Sequence, residues 1–141
     1  MTFEELNQEV LTCLKCPLHQ TRNNAVFGNG NPHDEIMIIA EVPGFYDDKS
    51  GIVLQGKSGK LLDDILAACG FTRDEHIYIS NIVKCRPPNN RAPNTIEKNA
   101  CLPYLYKQIE LINPKVIILL GATALKGLID PNAGITKLRG Q

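Results

Sequence analysis

The chain has 141 residues, 43% of them hydrophobic, and its 15 basic and 15 acidic residues cancel, so it is long enough for one domain with a sizeable core. No stretch resembles a signal peptide and no apolar run approaches the ~20 residues that span a bilayer, which leads to the expectation of a soluble, cytoplasmic protein without a membrane partner. The zero total hides an asymmetry, because residues 1–80 hold 12 acids and 6 bases while residues 81–141 hold 3 acids and 9 bases, a basic half suited to a polyanion.

Residues 2–12, TFEELNQEVLT, predict a first helix. Thr2 and Glu5 form a capping box, and Phe3, Leu6 and Val10 recur at helical spacing. Directly after it comes Cys13-x-x-Cys16. IMIIAE (36–41) is short and almost wholly apolar, the pattern of a strand buried on both faces of a parallel sheet. Then KLLDDILAACG places Leu61, Leu62, Ile65, Leu66 and Cys69 on one helical face, ends at Gly70, and puts Cys69 in the core. IYISNIV (77–83) reads as a second strand. A second long helix is expected from about Thr95 to Ile112, bent near Pro103 and broken by Asn113-Pro114. VIILL (116–120) makes a third strand and GATALKGLID another helix. This alternation predicts a single α/β domain over 1–141, a three-layer α/β/α sandwich on a short parallel sheet. Its ligands belong beyond the carboxyl ends of the strands, where Glu41, Asn81 and Gly121 fall.

Cys85 and Cys101 enclose a loop with three prolines and, with Cys13 and Cys16, complete a set of four. In a reducing compartment such cysteines are metal ligands more often than disulfides, and a site shared by the two pairs would staple the N-terminus to the 85–101 loop. Spacing leaves zinc and an iron–sulfur cluster both open. Within 81–96, Lys84, Arg86 and Arg91 occur with no acid among them, a cationic segment for phosphate, to which Asn90 adds a polar contact. His19, His33 and His76 fall in predicted loops and are expected at the surface.

These cysteines, together with AEVPGFYDDKSG (40–51), SNIVKCRPPNNRAP (80–93), QIELINPKVIILLGATA (108–124) and ITKLRGQ (135–141), resemble the family 4 uracil-DNA glycosylases over nearly the whole chain. The resemblance implies hydrolysis of the bond between uracil and deoxyribose in DNA, by a monomer with a [4Fe-4S] cluster on Cys13, Cys16, Cys85 and Cys101. It implies catalytic roles for Glu41 and Asp47. Asn81 would read the base edge, since a side-chain amide both donates and accepts, with Val42 and Leu54 lining the pocket. Lys84, Arg86, Asn90 and Arg91 would hold DNA. Two departures stand out. Leu54 occupies a position where the family usually reads R-P-F-V-G and stacks phenylalanine on uracil, so Phe45 and Tyr46 are alternative stacking partners. The chain also stops at Gln141, before the family's histidine motif, H-P-S or close to it, so that a truncated or weakened enzyme is expected.

Other functions are open on sequence alone. GIVLQGKS (51–58) satisfies G-x-x-x-x-G-K-[ST], the loop of nucleotide hydrolases, but is preceded by polar, acidic FYDDKS rather than a buried strand. A non-catalytic module that binds single-stranded or uracil-containing DNA differs from the enzyme only in turnover. An electron carrier would leave Asn81 and Glu41 without a purpose.

Overall fold

The computed structural model describes residues 2–120, with Ser58 and Asn90 by their backbone alone. The expected helix from residue 121, the strand end at Gly121 and the 135–141 segment lie outside the described residues.

Among the described residues the core is a sheet of four strands, β1 (Asn29–Gly30), β2 (Ile36–Ala40), β3 (Tyr78–Asn81) and β4 (Val116–Leu119), in the order β1-β3-β2-β4. β2 pairs in parallel with β3 (Met37↔Tyr78, Ala40↔Asn81) and with β4 (Ile36↔Val116). β1, too short to show in a hydrophobic pattern, adds an antiparallel edge (Gly30↔Tyr78), so the sheet is mixed. Gly30 lies at φ 119, and a Cβ there would meet the Ile77 carbonyl oxygen at 2.3 Å, which reserves the position for glycine.

Alternation along the strands divides the apolar side chains between two faces. Met37, Ile39 and Tyr78 join Leu6 and Val10 of α1 (Phe3–Leu11) and Tyr104, Leu105 and Ile112 of α5 (Thr95–Ile112). Ile38, Ile77 and Ile79 pack with Val26, Val53 and Leu66, the last from α3 (Lys57–Ala68). Helices on both faces give the three layers. Burial of side chains such as Leu6 and Val10 contributes about 1.5–3 kcal/mol each and holds α1 down. The Thr2–Glu5 capping box forms as the sequence predicts. α5 begins with a second one, in which Asn94 Oδ1 accepts the Glu97 N–H and Glu97 accepts the Asn94 N–H, both at 2.9 Å. Pro103 sits inside α5 on its exposed side, and the helix runs on to Asn113 in the left-handed region at φ 50.

Two short helices escape the sequence reading, α2 (Phe45–Ser50) and α4 (Arg73–His76). α3 also departs from expectation. Of its predicted buried face, Leu66 is buried and Leu62 half-buried, but Leu61, Ile65 and Cys69 are exposed. Cys69 is therefore not a core residue.

Candidate functional site

The four expected thiols come from three places: Cys13 and Cys16 follow α1, Cys85 follows β3, and Cys101 lies in the second turn of α5. All are free; Cys16, Cys85 and Cys101 are buried and Cys13 half-buried, within one apolar cluster. Polar donors face the sulfurs. Arg22 Nη1 donates to Cys85 Sγ at 3.1 Å, and Tyr104 Oη to Cys13 Sγ, also at 3.1 Å. Burial pushes the Cys85 thiol up and the Cys101 thiol to about 11; among the further contributions, Cys13 and Cys16 act on Cys85, and Cys85 and Cys16 on Cys101. The donor set suits a thiolate-bound inorganic group, whose positive charge offsets the burial of deprotonated sulfur. Among the described residues, however, no three histidine, cysteine, aspartate or glutamate side chains are grouped so as to hold a metal ion.

Lys84 corrects the sequence reading. Expected on DNA, it is 1% exposed. Its Nζ donates to Gln108 Oε1 and Ser80 Oγ, each at 2.5 Å, and to the Asn81 carbonyl at 2.9 Å. Gln108 in turn donates from Nε2 to the Phe27 carbonyl at 2.9 Å. Desolvation lowers the amine to about 7, opposed by Cys101 and Cys85. A group with no surface cannot meet a phosphate; it ties the end of β3 to α5 beside the thiols.

At that strand end stands Asn81, 1% exposed, and neither Oδ1 nor Nδ2 has a hydrogen-bond partner among the described residues. Leaving a buried amide unsatisfied costs on the order of 1–3 kcal/mol, and native structures rarely keep such a group without a use. By alternation Asn81 lies on the sheet face of Ile79, the face that Val53 and Leu54 pack against. The Ala40↔Asn81 pair sets it beside the end of β2, where Glu41 follows, half-buried, its carboxylate without a partner among the described residues. Val42, also half-buried, packs against the larger core cluster.

Asp47 is the second correction. Rather than standing in a solvated loop, its carboxylate is buried and accepts three backbone N–H groups, from Gln55 at 2.7 Å, Leu54 at 3.0 Å and Gly44 at 3.3 Å. Asp48, also buried, accepts the N–H groups of Asn23 (2.8 Å) and Asn24 (3.2 Å) and the Asn23 side-chain amide (2.7 Å). The acidic stretch read as a polar loop is thus a short helix whose two carboxylates fix neighbouring segments. Leu54 adopts φ 52, an unusual conformation for a residue with a Cβ, and lines a groove of about 390 Å³ with Tyr46, Gln55, Gly56, Lys57 and Lys60. Phe45 is half-exposed and carries the Arg86 guanidinium over its ring at 5.4 Å. Of the two alternative stacking partners, Tyr46 is the one beside Leu54.

In the basic loop, Arg86 is half-buried, and Arg91, 43% exposed, forks onto Glu97 at 2.6 and 2.8 Å. The Glu97 carboxyl is held below its ordinary value first by that hydrogen bond. The side chain of Asn90 lies outside the described residues. The nucleotide-loop motif finds no support, since Gly51 caps α2 instead of following a strand. His19 packs its Nδ1 on the Cys16 carbonyl at 2.7 Å, His76 accepts the Thr72 N–H at 2.9 Å and His33 is exposed.

Sequence reasoning missed Arg73, Ser80 and Gln108. Arg73 meets the 53–59 segment through backbone carbonyls, contacts that leave no residue signature at either end. Ser80 and Gln108 lie one on β3 and one on α5, with no spacing to link them.

Residues 27–139 match the model of the Uracil DNA glycosylase superfamily. A type-4 uracil-DNA glycosylase from Thermotoga maritima is 46% identical over 98% of this chain and 72% of its own length. Type-4 uracil-DNA glycosylases from Sulfurisphaera tokodaii and Pyrobaculum aerophilum are each 44% identical, over 99% and 92% of this chain. The chain spans 66% of the length of each of these two.

Proposed function

The chain belongs to the uracil-DNA glycosylase superfamily, among proteins similar to the type-4 enzymes, and we propose that it excises uracil from DNA with Asn81 reading the base and Glu41 serving the hydrolysis. The observation that carries this reading is the buried, unpartnered Asn81 amide at the carboxyl end of a central strand. Uracil presents an O4 acceptor and an N3–H donor side by side, and one amide satisfies both. Cytosine offers a donor and an acceptor in the opposite order, which leaves the amide mismatched and unpaired in a dry site. The base must first leave the stack, at a cost of a few kcal/mol that is smaller in a mismatch or a single strand.

With the base held by Asn81 and covered by Leu54, the bond from sugar C1′ to N1 lengthens and its electron pair passes to the uracil ring. Water adds to C1′ and gives up a proton, leaving an abasic deoxyribose and free base. Glu41, whose carboxylate has no partner among the described residues, would take that proton and offset the positive charge on the sugar. Val42 lines the same end of β2. Asp47 acts one step removed, by shaping the loop that carries Leu54.

Cys13, Cys16, Cys85 and Cys101 would hold a [4Fe-4S] cluster. Three buried thiols and a half-buried fourth, with Arg22 and Tyr104 donating to two of the sulfurs, support a thiolate-bound centre here. Such a centre supplies a covalent staple between the residues after α1 and the 85–101 loop. Arg86 and Arg91 on that loop would meet the DNA backbone.

The test is incubation of the chain with a labelled oligonucleotide containing one uracil, followed by alkaline cleavage of abasic sites. Cleavage at the uracil, and none at cytosine, is expected. Binding of the oligonucleotide without any cleavage would make the chain a DNA-binding module instead.

A further inference from the structure

The segment Val53–Leu54–Gln55 is gripped from both sides of its backbone. Asp47 accepts the N–H groups of Leu54 and Gln55 at 3.0 and 2.7 Å. From the other side, the Arg73 guanidinium donates Nη1 to the Val53 carbonyl at 2.6 Å and Nη2 to the Leu54 carbonyl at 3.0 Å and the Gly59 carbonyl at 3.2 Å. Its Nε is held by Asp63 Oδ1 at 2.8 Å, and the side chain is only 9% exposed. Every nitrogen of the fork is thus engaged, three bonds of the four on backbone carbonyls. Between the two grips Leu54 sits at φ 52, a conformation that persists only when its surroundings enforce it. The fit is tight on a third side. A Cβ built on Gly59 would stand 1.6 Å from the Leu54 carbonyl oxygen, so α3 approaches the loop as closely as a bare backbone allows.

Resting on the reading of Leu54 as a wall of the uracil pocket, we propose that Arg73 is a positioning residue for base recognition, which with Asp47 and Gly59 locks Leu54 in its left-handed conformation before the base arrives. Arg73 itself lies against backbone rather than substrate. Its benefit is preorganisation: a flipped-out base meets a wall that is already set, and none of its binding energy is diverted to ordering the loop. The planar fork is essential, because lysine keeps the charge and the partnership with Asp63 but offers a point donor that cannot serve separate carbonyls in one geometry.

The experiment compares the whole chain with Arg73→Met, Arg73→Lys and Gly59→Ala. Free uracil serves as the pocket probe, undamaged single-stranded DNA as the surface probe, and amide hydrogen exchange at Leu54 and Gln55 as the readout of the loop. All three variants should weaken uracil inhibition and lower kcat/KM for excision by about 10- to 100-fold, the scale of a misplaced wall, while affinity for undamaged DNA changes by less than about twofold. Exchange at the two amides should quicken at least about tenfold as the clamp opens. Should the Met variant fail to fold, the Lys variant, which retains the ion pair, carries the test. Unchanged exchange, full rescue by lysine, or equal losses of uracil and DNA affinity would overturn the clamp. A wild-type chain that neither excises nor binds uracil would instead defeat the proposed function, and the exchange comparison would still decide whether Arg73 holds the loop.

Discussion

Asn81→Ala should make the protein a poorer enzyme and no less stable a fold, a combination that separates a ligand-reading amide from a structural one. In the native state both polar atoms of this side chain are buried without partners among the described residues, and an unsatisfied buried amide costs about 1–3 kcal/mol. Alanine removes that cost and gives back on the order of 1 kcal/mol in lost packing, since two polar heavy atoms and a carbon leave the site. The balance is neutral to about 2 kcal/mol stabilising, and at roughly 3 °C per kcal/mol for a chain of this length the melting temperature should stay level or rise by up to about 6 °C. Excision loses two hydrogen bonds whose alternative is an unpaired base edge. At about 1.5–3 kcal/mol each, the rate should fall roughly 10²- to 10⁴-fold. Thermal unfolding by circular dichroism and single-turnover cleavage of a uracil oligonucleotide measure the two effects. A melting temperature several degrees lower, with excision retained, would refute the reasoning, because the amide would then have been holding the protein rather than awaiting a base.

Replacing Cys85 or Cys101 by alanine should abolish bound iron, measured by elemental analysis of anaerobically purified protein, and lower the melting temperature by loosening the staple; zinc found in the wild-type chain would replace the iron–sulfur assignment. Glu97→Gln should flatten the acid side of the stability curve. The Glu97 carboxyl is lowered in the folded state, so its contribution is present above the ordinary carboxylate value near 4.5 and is lost as pH falls through the lower folded value; the glutamine variant, with no such contribution to lose, should show a smaller drop in urea midpoint from pH 5 to pH 3. Arg86→Ala and Arg91→Ala should each weaken binding to every DNA sequence alike and reduce the slope of log affinity against log salt by about one, read by fluorescence titration. An unchanged slope would take that arginine away from the phosphates.

Strands β2, β3 and β4 and the long helices were legible because each writes a local pattern: apolar runs for β2 and β4, a capping box for α1, and Asn113-Pro114 closing α5. What failed to show has one physical cause, that a charged residue's role is set by partners far along the chain. Lys84 reads as a solvated cation until β3 and α5 fold around it. Asp47 and Asp48 read as loop acids, although their carboxylates are consumed by the backbone of residues 54–55 and 23–24. Leu61 and Ile65 err in the opposite sense, apolar at helical spacing yet exposed, because periodicity reports which side of a helix is oily without reporting what covers it.

The Lys84 amine has a consequence for anyone rebuilding this protein. The six residues from Ser80 to Cys85 run from the interior, through the proposed base-reading position, to a proposed sulfur ligand, and the Lys84 amine stitches the first two to the helix that carries Cys101. On the proposed reading, base selectivity and the inorganic brace share this scaffold, so that a change to one is expected to disturb the other. A metal-free redesign of the cysteine region would have to keep the Lys84 amine and its bonds to Ser80, Asn81 and Gln108, or the strand end is expected to drift even if every residue facing the substrate is kept.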